Sequence, residues 1–304
     1  MVSLHRAFFF LSSLALLTAL FMEHSAKAGT LTESTKDAWL KAATSWPKAK
    51  DGLPDGNIAQ GLNGDITAAW YSAPTTRYRH GVIGDAIEAT QLNVRARNGK
   101  TLSLTLPQTE VFEDRTPRLA DLDGDGQTEV ITIRSSNRGG GSVTLYAVRN
   151  GQLQEVGSTG FIGRANRWLN IAGIADYLGN GMQQVAYVET PHIGGTLRLY
   201  EFNDRKMRQA LSKYGFSNHA IGSRNLNLSA TADMNGDGTL DLLVPDTSRS
   251  TLHALSFRGG SIQQLGKFRL PAPLETDIHT SGSKASPTFL FGLTNGRYYQ
   301  LSMP

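Results

Sequence analysis

Short apolar runs that alternate with polar residues recur along most of this chain. The segment Val143–Val148 reads Val-Thr-Leu-Tyr-Ala-Val and Leu197–Glu201 reads Leu-Arg-Leu-Tyr-Glu, so every second side chain is apolar. This period predicts β-strands with one buried face, and Asn150-Gly151 is a typical hairpin turn. Beyond Ala28 only Asp37–Ala43 is expected to form a helix, and a short one. The pattern predicts an all-β protein.

A unit of strands and loops repeats through the middle of the chain. Three segments align without gaps, and their first aspartates recur at nearly equal intervals, at Asp121, Asp176 and Asp233: Ala120–Glu129, Ala175–Gln184 and Ala232–Asp241. Each is followed by two strand-like runs: 130–133 and 143–148, 185–188 and 196–202, 242–244 and 252–257. With a weaker third run and the run into the next aspartate, each unit holds four short strands, which is typical of a β-propeller blade.

The interval between the aspartates predicts the number of blades. Fainter copies of the unit lie at Ile66–Val94 and Phe289–Leu301, and the stretch from Gly29 to Pro304 accommodates five units of this length. We therefore predict one propeller of about five four-stranded blades over residues 58–304, preceded by a leader segment over residues 29–57. A propeller of six or seven smaller blades remains an alternative, because the repeat is not clearly aligned in the chain before Gln91.

The aligned segments carry oxygen ligands at alternate positions, which is the pattern expected of a calcium loop. Calcium takes about six to eight oxygen ligands, and glycine at the fourth and sixth positions lets the backbone turn around an ion. The first loop offers side-chain oxygens or, at Gln127, a carbonyl: Asp121, Asp123, Asp125, Gln127 and Glu129. The third loop offers the corresponding set, with the carbonyl at Thr239: Asp233, Asn235, Asp237, Thr239 and Asp241. The sequence thus predicts two Ca²⁺ sites.

The middle loop departs from this pattern. It retains Asp176 and has Asn180 at the fifth position, but Leu178 and Gln184 replace the ligands at the third and ninth positions. We expect it to keep the turn geometry and to have lost the metal. An EF-hand is disfavoured in the two complete loops, because its bidentate acid at position 12 is replaced by Thr132 and Val244. Plain Asp-Gly turns without an ion are the remaining alternative.

The loops and the strands that follow them resemble the FG-GAP/VCBS repeat family, which includes the integrin α-subunit propeller and many bacterial exported proteins. The resemblance rests on Asp-x-Asp-x-Asp-Gly-x-x-Asp/Glu followed by an apolar strand, and it covers about Arg118–Phe257 well. It implies a β-propeller with calcium in loops at the blade edges. Within Arg118–Phe257 the Phe-Gly and Gly-Ala-Pro signatures of the family are absent, and no motif supports integrin-like adhesion.

The segment Met1–Ala28 has the features of a secretory signal peptide. A short basic region is followed by the apolar run Ala7–Met22 and by Ala26-Lys27-Ala28, which predicts cleavage after Ala28. An uncleaved membrane anchor is the alternative, although the run is short for a bilayer span. We therefore expect a periplasmic or secreted protein without an integral membrane segment after cleavage.

The amino-acid composition limits which partners the protein can bind and which interactions can stabilise it. The chain has no cysteine and therefore no disulfide, so metal clips could contribute to its stability. Its 32 glycines suit a protein rich in turns. Charges of both signs are dispersed around a formal net charge of +4 without a basic block, which argues against a nucleic-acid partner.

No sequence motif identifies catalytic residues. The five histidines after Ala28 are scattered, and nucleophile, zinc and phosphate-loop motifs are absent. One mixed aromatic and charged group could bind a protein or glycan ligand: Trp70, Tyr71, Tyr78, Arg79 and His80. The first hypothesis is a non-enzymatic binding or scaffold protein of the cell envelope. The alternative is a polysaccharide-active enzyme, a hydrolase or lyase, because one fold can host both.

Overall fold

Antiparallel β-strands are the main regular structure of the described residues, as the alternating pattern predicts. The computed structural model describes residues 29–304, and the predicted signal peptide lies outside this range. Strand β1 (Thr30–Ser34) comes first and is followed by the short helix α1 (Lys36–Ala42), close to the predicted helix. Thr35 caps α1 by accepting a hydrogen bond of 3.1 Å from the backbone N–H of Ala38. None of the described helices is long and apolar enough to cross a membrane.

The first sheet has nine strands, arranged as two four-stranded units joined by a bridging strand. Unit 1 contains β2 (Ala59–Gln60), β3 (Ile66–Thr75), β4 (Glu88–Ala96) and β5 (Thr101–Thr105). The bridging strand is β6 (Glu110–Phe112), which pairs with β4 and with the second strand of the next unit. Unit 2 contains β7 (Arg118–Ala120), β8 (Glu129–Ser136), β9 (Gly140–Arg149) and β10 (Gln152–Ser158).

The remaining strands form three separate four-stranded sheets. Unit 3 contains β11 (Leu169–Ala175), β12 (Gln184–Glu189), β13 (Thr196–Asn203) and β14 (Lys206–Tyr214). Unit 4 contains β15 (Ala230–Ala232), β16 (Asp241–Pro245), β17 (Thr251–Ser256) and β18 (Gln263–Arg269). Unit 5 contains β19 (His279–Ser283), β20 (Ser286–Gly292) and β21 (Tyr298–Ser302), and β1 is its fourth strand. A short 3₁₀ turn, Arg258–Gly260, precedes β18.

Strand β1 therefore joins the beginning of the described chain to its end. All five residues of β1 are paired in antiparallel register with β21, from Thr30 opposite Ser302 to Ser34 opposite Tyr298. Leu31 also packs against the core of units 4 and 5. The segment predicted as a separate leader, residues 29–57, thus includes a strand of unit 5. Its sequence lacks the repeat pattern that would have shown this, because β1 has no Asp loop beside it.

The hydrophobic core lies between consecutive units. Each of four apolar clusters combines side chains from two neighbouring units: units 1 and 2, units 2 and 3, units 3 and 4, and units 4 and 5. Ile131 and Tyr187, for example, belong to the cluster that joins units 2 and 3. Because apolar side chains point to both faces of the central strands, the sheets stack on one another instead of exposing one face.

The hairpin turn predicted at Asn150-Gly151 is confirmed by its backbone conformation. Asn150 and Gly151, between β9 and β10, both have positive φ, at 53° and 74°. A type I′ turn requires this conformation at both central residues, and Asn-Gly adopts it readily.

The first strands of all five units also line a common cavity of about 660 Å³.

We predict that deleting residues 29–34 lowers the melting temperature by several degrees in thermal unfolding followed by circular dichroism. The deletion removes the ladder to β21 and the contact of Leu31, and each lost hydrogen bond costs on the order of 1 kcal/mol. The substitution Thr32→Ala, at an exposed position of the same strand, is the control and should have little effect. An unchanged melting temperature after the deletion would show that β1 does not support unit 5.

Candidate functional site

The three predicted loops occupy equivalent places in the fold. Each connects the first strand of its unit to the second: residues 121–128 in unit 2, residues 176–183 in unit 3 and residues 233–240 in unit 4. Glycines at the fourth and sixth positions have positive φ in all three loops, for example 73° at Gly124 and 82° at Gly126. The backbone therefore makes the sharp turn that the glycine pattern predicts.

One hydrogen bond holds each loop in the same way. The ninth residue is the first residue of the second strand, and its side chain accepts the backbone N–H of the second loop residue. Glu129 accepts from Leu122 at 3.0 Å, and Asp241 accepts from Met234 at 2.9 Å. In the middle loop Gln184 accepts from Tyr177 at 2.8 Å. All three ninth residues are fully buried.

The first loop brings three carboxylates together. Ligand oxygens of Asp121, Asp123 and Glu129 lie within 4.8 Å of one another, so this group could hold a metal ion. Oδ1 of Asp121 is buried and has no hydrogen-bond partner among the described residues. Burial, with a contribution from Asp123, raises the pKa of Glu129 to about 7. Burial raises the pKa of Asp123 as well.

The other members of the first loop lie around this group. Asp125 accepts the backbone N–H of Gln127 at 2.7 Å, and its side chain is more exposed than that of Asp121. Arg149 donates to the side chains of Gln127 at 2.8 Å and Glu129 at 3.1 Å. The guanidinium therefore offsets part of the carboxylate charge from the side of strand β9.

The third loop repeats the backbone geometry with one carboxylate fewer. Asp233 accepts the backbone N–H of Gly238 at 2.8 Å, and Asp237 accepts that of Thr239 at 2.8 Å. Asn235 stands where the first loop has Asp123, and its amide donates to Asp237 at 3.1 Å. Oδ1 of Asp241 is buried without a partner among the described residues, and burial raises the pKa of Asp241 to about 6.

The middle loop satisfies its own polar groups. Asp176 accepts the backbone N–H groups of Asn180 at 3.0 Å and Gly181 at 2.8 Å. Asp233 accepts from the corresponding two residues of the third loop, whereas, among the described residues, Asp121 accepts only from the sixth residue of the first loop. The amide of Gln184 donates to the carbonyl of Met182 at 2.8 Å and to the side chain of Asn180 at 3.2 Å. These two acceptors hold the seventh and fifth positions, which were predicted as metal ligands in the other two loops. An N–H group of Gln184 thus interacts with oxygens of the kind that an ion would bind.

The aromatic group predicted as a ligand patch does not form an exposed patch. Trp70, Tyr71 and Tyr78 are buried, with exposed fractions of 7%, 2% and 4%. Tyr71 donates to Asp114 at 2.9 Å inside the protein. Trp70 and Tyr71 lie in strand β3 and are buried by packing against neighbouring parts of the fold. The clustering of aromatic and charged residues in the sequence did not predict this burial. Arg79 is exposed.

His80 belongs instead to a buried polar network. Its Nδ1 lies 2.6 Å from Oε1 of Glu113, and Oε2 of Glu113 accepts from Ser135 at 2.5 Å. Burial raises the pKa of Glu113, against the opposing effect of His80. Burial and then the nearby Glu113 raise the pKa of Glu88 to about 9, and neither oxygen of Glu88 has a partner among the described residues. Two glutamates with raised pKa values thus lie in the interior outside the loops.

Two histidines that are far apart in sequence also meet near this network. Nε2 of His192 lies 2.9 Å from Nδ1 of His219, and Nε2 of His219 lies 2.9 Å from the carbonyl of Ser223. The carbonyl requires a proton on Nε2 of His219, so the neutral His219 accepts from His192. Burial lowers the pKa of His192 to about 3 and that of His219 to about 4. Trp168 stacks on His192, with its indole N–H donating to the carbonyl of Glu113 at 3.0 Å.

Comparisons with known proteins give no family for this chain. No protein-family model matches it, and no curated protein matches it. Among solved structures, rhamnogalacturonan lyase YesW is 14% identical with a TM-score of 0.48, covering 84% of this chain and 52% of that one. The exotype rhamnogalacturonan lyase YesX is 14% identical with a TM-score of 0.44, covering 83% and 57%. Sqt1 from Saccharomyces cerevisiae is 14% identical with a TM-score of 0.46, covering 77% and 55%. The chain spans about half the length of these three, and such distant likenesses do not bear on its function.

We predict that Glu88→Gln stabilises the protein increasingly as the pH rises. Because the folded-state pKa of Glu88 is raised from 4.5 to about 9, its contribution to stability is fully present below pH 4.5 and is lost as the pH rises toward 9. The difference in melting temperature between Glu88→Gln and the unmodified protein should therefore become more positive from pH 5 to pH 9. The exposed Glu275→Gln is the control. A difference independent of pH would mean that Glu88 ionises normally in the folded protein.

Proposed function

We propose that this chain is an exported β-propeller of the FG-GAP/VCBS type that binds two calcium ions and serves as a binding or scaffold protein of the cell envelope. Calcium occupies the first and third loops, through Asp121–Glu129 and Asp233–Asp241, and the middle loop stays free of metal. The export and envelope parts of the proposal rest on the sequence of residues 1–28.

The observation that carries the calcium proposal is a pair of buried oxygens without partners. Oδ1 of Asp121 and Oδ1 of Asp241 both lie in the loops that keep the ligand pattern. An unpartnered buried carboxylate oxygen is costly, and a hard cation with oxygen ligands would satisfy it. The middle loop has an amide in place of the ninth carboxylate, and its amide N–H groups are used within the loop. Each of the two loops with a carboxylate at the ninth position contains one buried oxygen without a hydrogen-bond partner. The loop with an amide at that position contains none among the described residues.

The propeller proposal is supported by three features of the sheets. Five four-stranded units follow one another, and the first strand of every unit contributes to one cavity. The four described core clusters each join consecutive units. Strand β1 pairs with β21 and completes the last unit from the beginning of the chain, as expected where a ring of blades is closed by its two ends. We infer five blades.

Calcium in this fold would act as a structural clip. A ligand that binds only the native state adds about 2.7 kcal/mol of stability when it is in hundredfold excess over its dissociation constant. The protein has no cysteine, so disulfides cannot supply this constraint. Burial, and after it repulsion from neighbouring carboxylates of the first loop, raises the pKa values of Asp123 and Glu129.

We predict that calcium, but not magnesium, raises the melting temperature of EDTA-treated protein. The double substitution Asp121→Asn and Asp123→Asn should remove part of this increase, because it removes two charged ligands while retaining their shape. Differential scanning fluorimetry with a calcium titration measures the shift. Asp176→Asn in the middle loop and Asp204→Asn in an exposed turn are controls and should keep the full increase. Absence of any calcium-dependent shift would contradict the metal proposal.

We predict that Gln184→Glu makes the middle loop dependent on a cation. The change replaces the side-chain NH₂ group, which donates to the Met182 carbonyl and the Asn180 side chain, with a carboxylate oxygen. Three oxygens then face one another without a donor, so the variant should melt at a lower temperature in EDTA. Its stabilisation by calcium should exceed that of the unmodified protein. Gln152→Glu, on an exposed position of β10, is the control. A Gln184→Glu variant that melts like the unmodified protein in EDTA would show that the amide bonds do not replace an ion.

A polysaccharide-active enzyme is a second candidate, and one observation favours it. Glu88 and Glu113 are carboxyl groups with raised pKa values outside the loops, and Glu113 is hydrogen-bonded to His80. Such perturbed groups cluster at catalytic sites. Neither glutamate lines the cavity shared by the five units. Chain cleavage of polysaccharides that is lost in Glu113→Gln but retained in Glu275→Gln would favour this candidate.

A further inference from the structure

None of the residues of the three Asp loops lines the cavity shared by the five units. Its lining includes Arg115–Leu119, before and within β7, and Ile171–Ile174 in β11. The Asp loops follow the C-terminal ends of the first strands of units 2, 3 and 4, so the cavity and the loops are formed by neighbouring parts of the same segments. The cavity volume of about 660 Å³ falls within the range of about 300–1,000 Å³ that is typical of small-molecule sites.

Three arginines line this cavity: Arg115, which is paired with Asp55 at 2.8 Å, and two that present fixed hydrogen-bond donors to it. Arg118 is paired with the buried Asp114, and Arg224 is paired with Asp85 at 2.7 Å. A guanidinium has five N–H donors in one plane, and these pairs use only part of each set. The side chain of Arg224 is half exposed. The ion pairs orient the arginines, and the unused N–H groups remain for a ligand.

Hydrogen-bond acceptors stand in the same lining. The carboxylate of Asp277 accepts the backbone N–H of Asn227 at 2.9 Å and its side-chain amide at 3.1 Å, which fixes its position. A carboxylate has about four lone-pair sites, so Asp277 keeps acceptor capacity. Gln60 also lines the cavity, and its side chain has no hydrogen-bond partner among the described residues. The site therefore combines donors and acceptors.

Trp46 adds an aromatic surface to these polar groups. It follows helix α1, lines the cavity and is 47% exposed, although large aromatic side chains are usually buried. Its indole N–H has no partner within residues 29–304. Tryptophan offers an apolar face and a polar edge, which suits a ligand with C–H groups on one face and hydroxyl groups around its rim.

We propose that this cavity binds a neutral oligosaccharide, with a sugar ring on Trp46 and its hydroxyl groups on Arg118, Arg224, Gln60 and Asp277. Because each of the three arginines is matched by an aspartate and Asp277 adds a further negative charge, the site has no excess of positive charge to attract an anion. The proposal deepens the binding role proposed above by naming the class of ligand and its site.

The test is a binding screen of the calcium-loaded protein against neutral oligosaccharides and uronic-acid oligosaccharides of matched length, read by tryptophan fluorescence. We expect saturable binding of at least one neutral member. Trp46→Ala should weaken this binding at least tenfold, and Trp46→Phe should retain binding but lose most of the fluorescence change. Tyr214→Ala, which removes another exposed aromatic ring at 71% exposure, is the matched control and should leave the affinity unchanged.

A second pair of variants tests the polar contacts. Arg224→Gln should weaken binding several-fold, whereas Arg208→Gln, at an exposed position of β14, should not. Binding to no member of the panel, tighter binding of the uronic acids, or equal affinities for Trp46→Ala and Tyr214→Ala would each overturn the proposal. Circular dichroism melts identify any variant that fails to fold. A calcium-dependent rise in melting temperature without sugar binding would refute this inference alone, and sugar binding without that rise would refute the calcium proposal alone.

Discussion

The hydrogen bond from the second residue of each Asp loop to the side chain of the ninth ties the loop to the sheet. The ninth residue begins a central strand and is fully buried in all three loops. The polar groups at the end of this side chain are two oxygens in Asp or Glu and an oxygen and an NH₂ group in Gln. Because the position is buried, they must find their partners within the protein or in a bound ion. Glutamate and aspartate use one oxygen for the backbone and leave the other to an ion or an arginine. Glutamine uses its own N–H groups on the neighbouring oxygens of its loop. The loops with a ninth carboxylate each keep one unpartnered buried oxygen among the described residues, on Asp121 in the first loop and on Asp241 in the third.

The first strands and the loops that follow them have different chemistry. The loops of units 2, 3 and 4 are carboxylate- or amide-rich turns, in which backbone N–H groups and glycines arrange oxygen ligands. The first strands and the segments before them line the cavity, together with ion-paired arginines, Asp277 and Trp46. Stability and recognition can therefore be provided by neighbouring but distinct sets of residues.

The interior also contains a polar network. Glu113 connects His80, Ser135 and, through its carbonyl, Trp168, which in turn packs on the pair of histidines. Burial keeps both histidines in their neutral forms and favours the neutral form of Glu88. Buried charge is costly unless it is paired, so these groups reduce their charge instead. The network joins units 1, 2 and 3 by directional bonds in addition to apolar packing.

The sequence by itself determined the features that depend on near neighbours along the chain. Alternating runs predicted the strands, Asn150-Gly151 predicted its turn, and the aspartate and glycine spacing predicted the shape of all three loops. These depend on local backbone geometry, which the residue pattern encodes directly. The middle loop keeps the turn geometry that its glycines predict, whereas the amide contacts of Gln184 were not predicted.

Tertiary structure decided everything that joins distant parts of the chain. His192 and His219 are 27 residues apart, and His80 and Glu113 are 33 apart, so no spacing in the sequence marks either pair. Strand β1 was predicted as part of a leader, because its pairing with β21 depends on where the last strand lies. Trp70, Tyr71 and Tyr78 were predicted to form a ligand patch, but packing buried them and left Trp46 half exposed at the cavity. Burial is a property of the assembled sheets, whereas a single sequence records only the residue type.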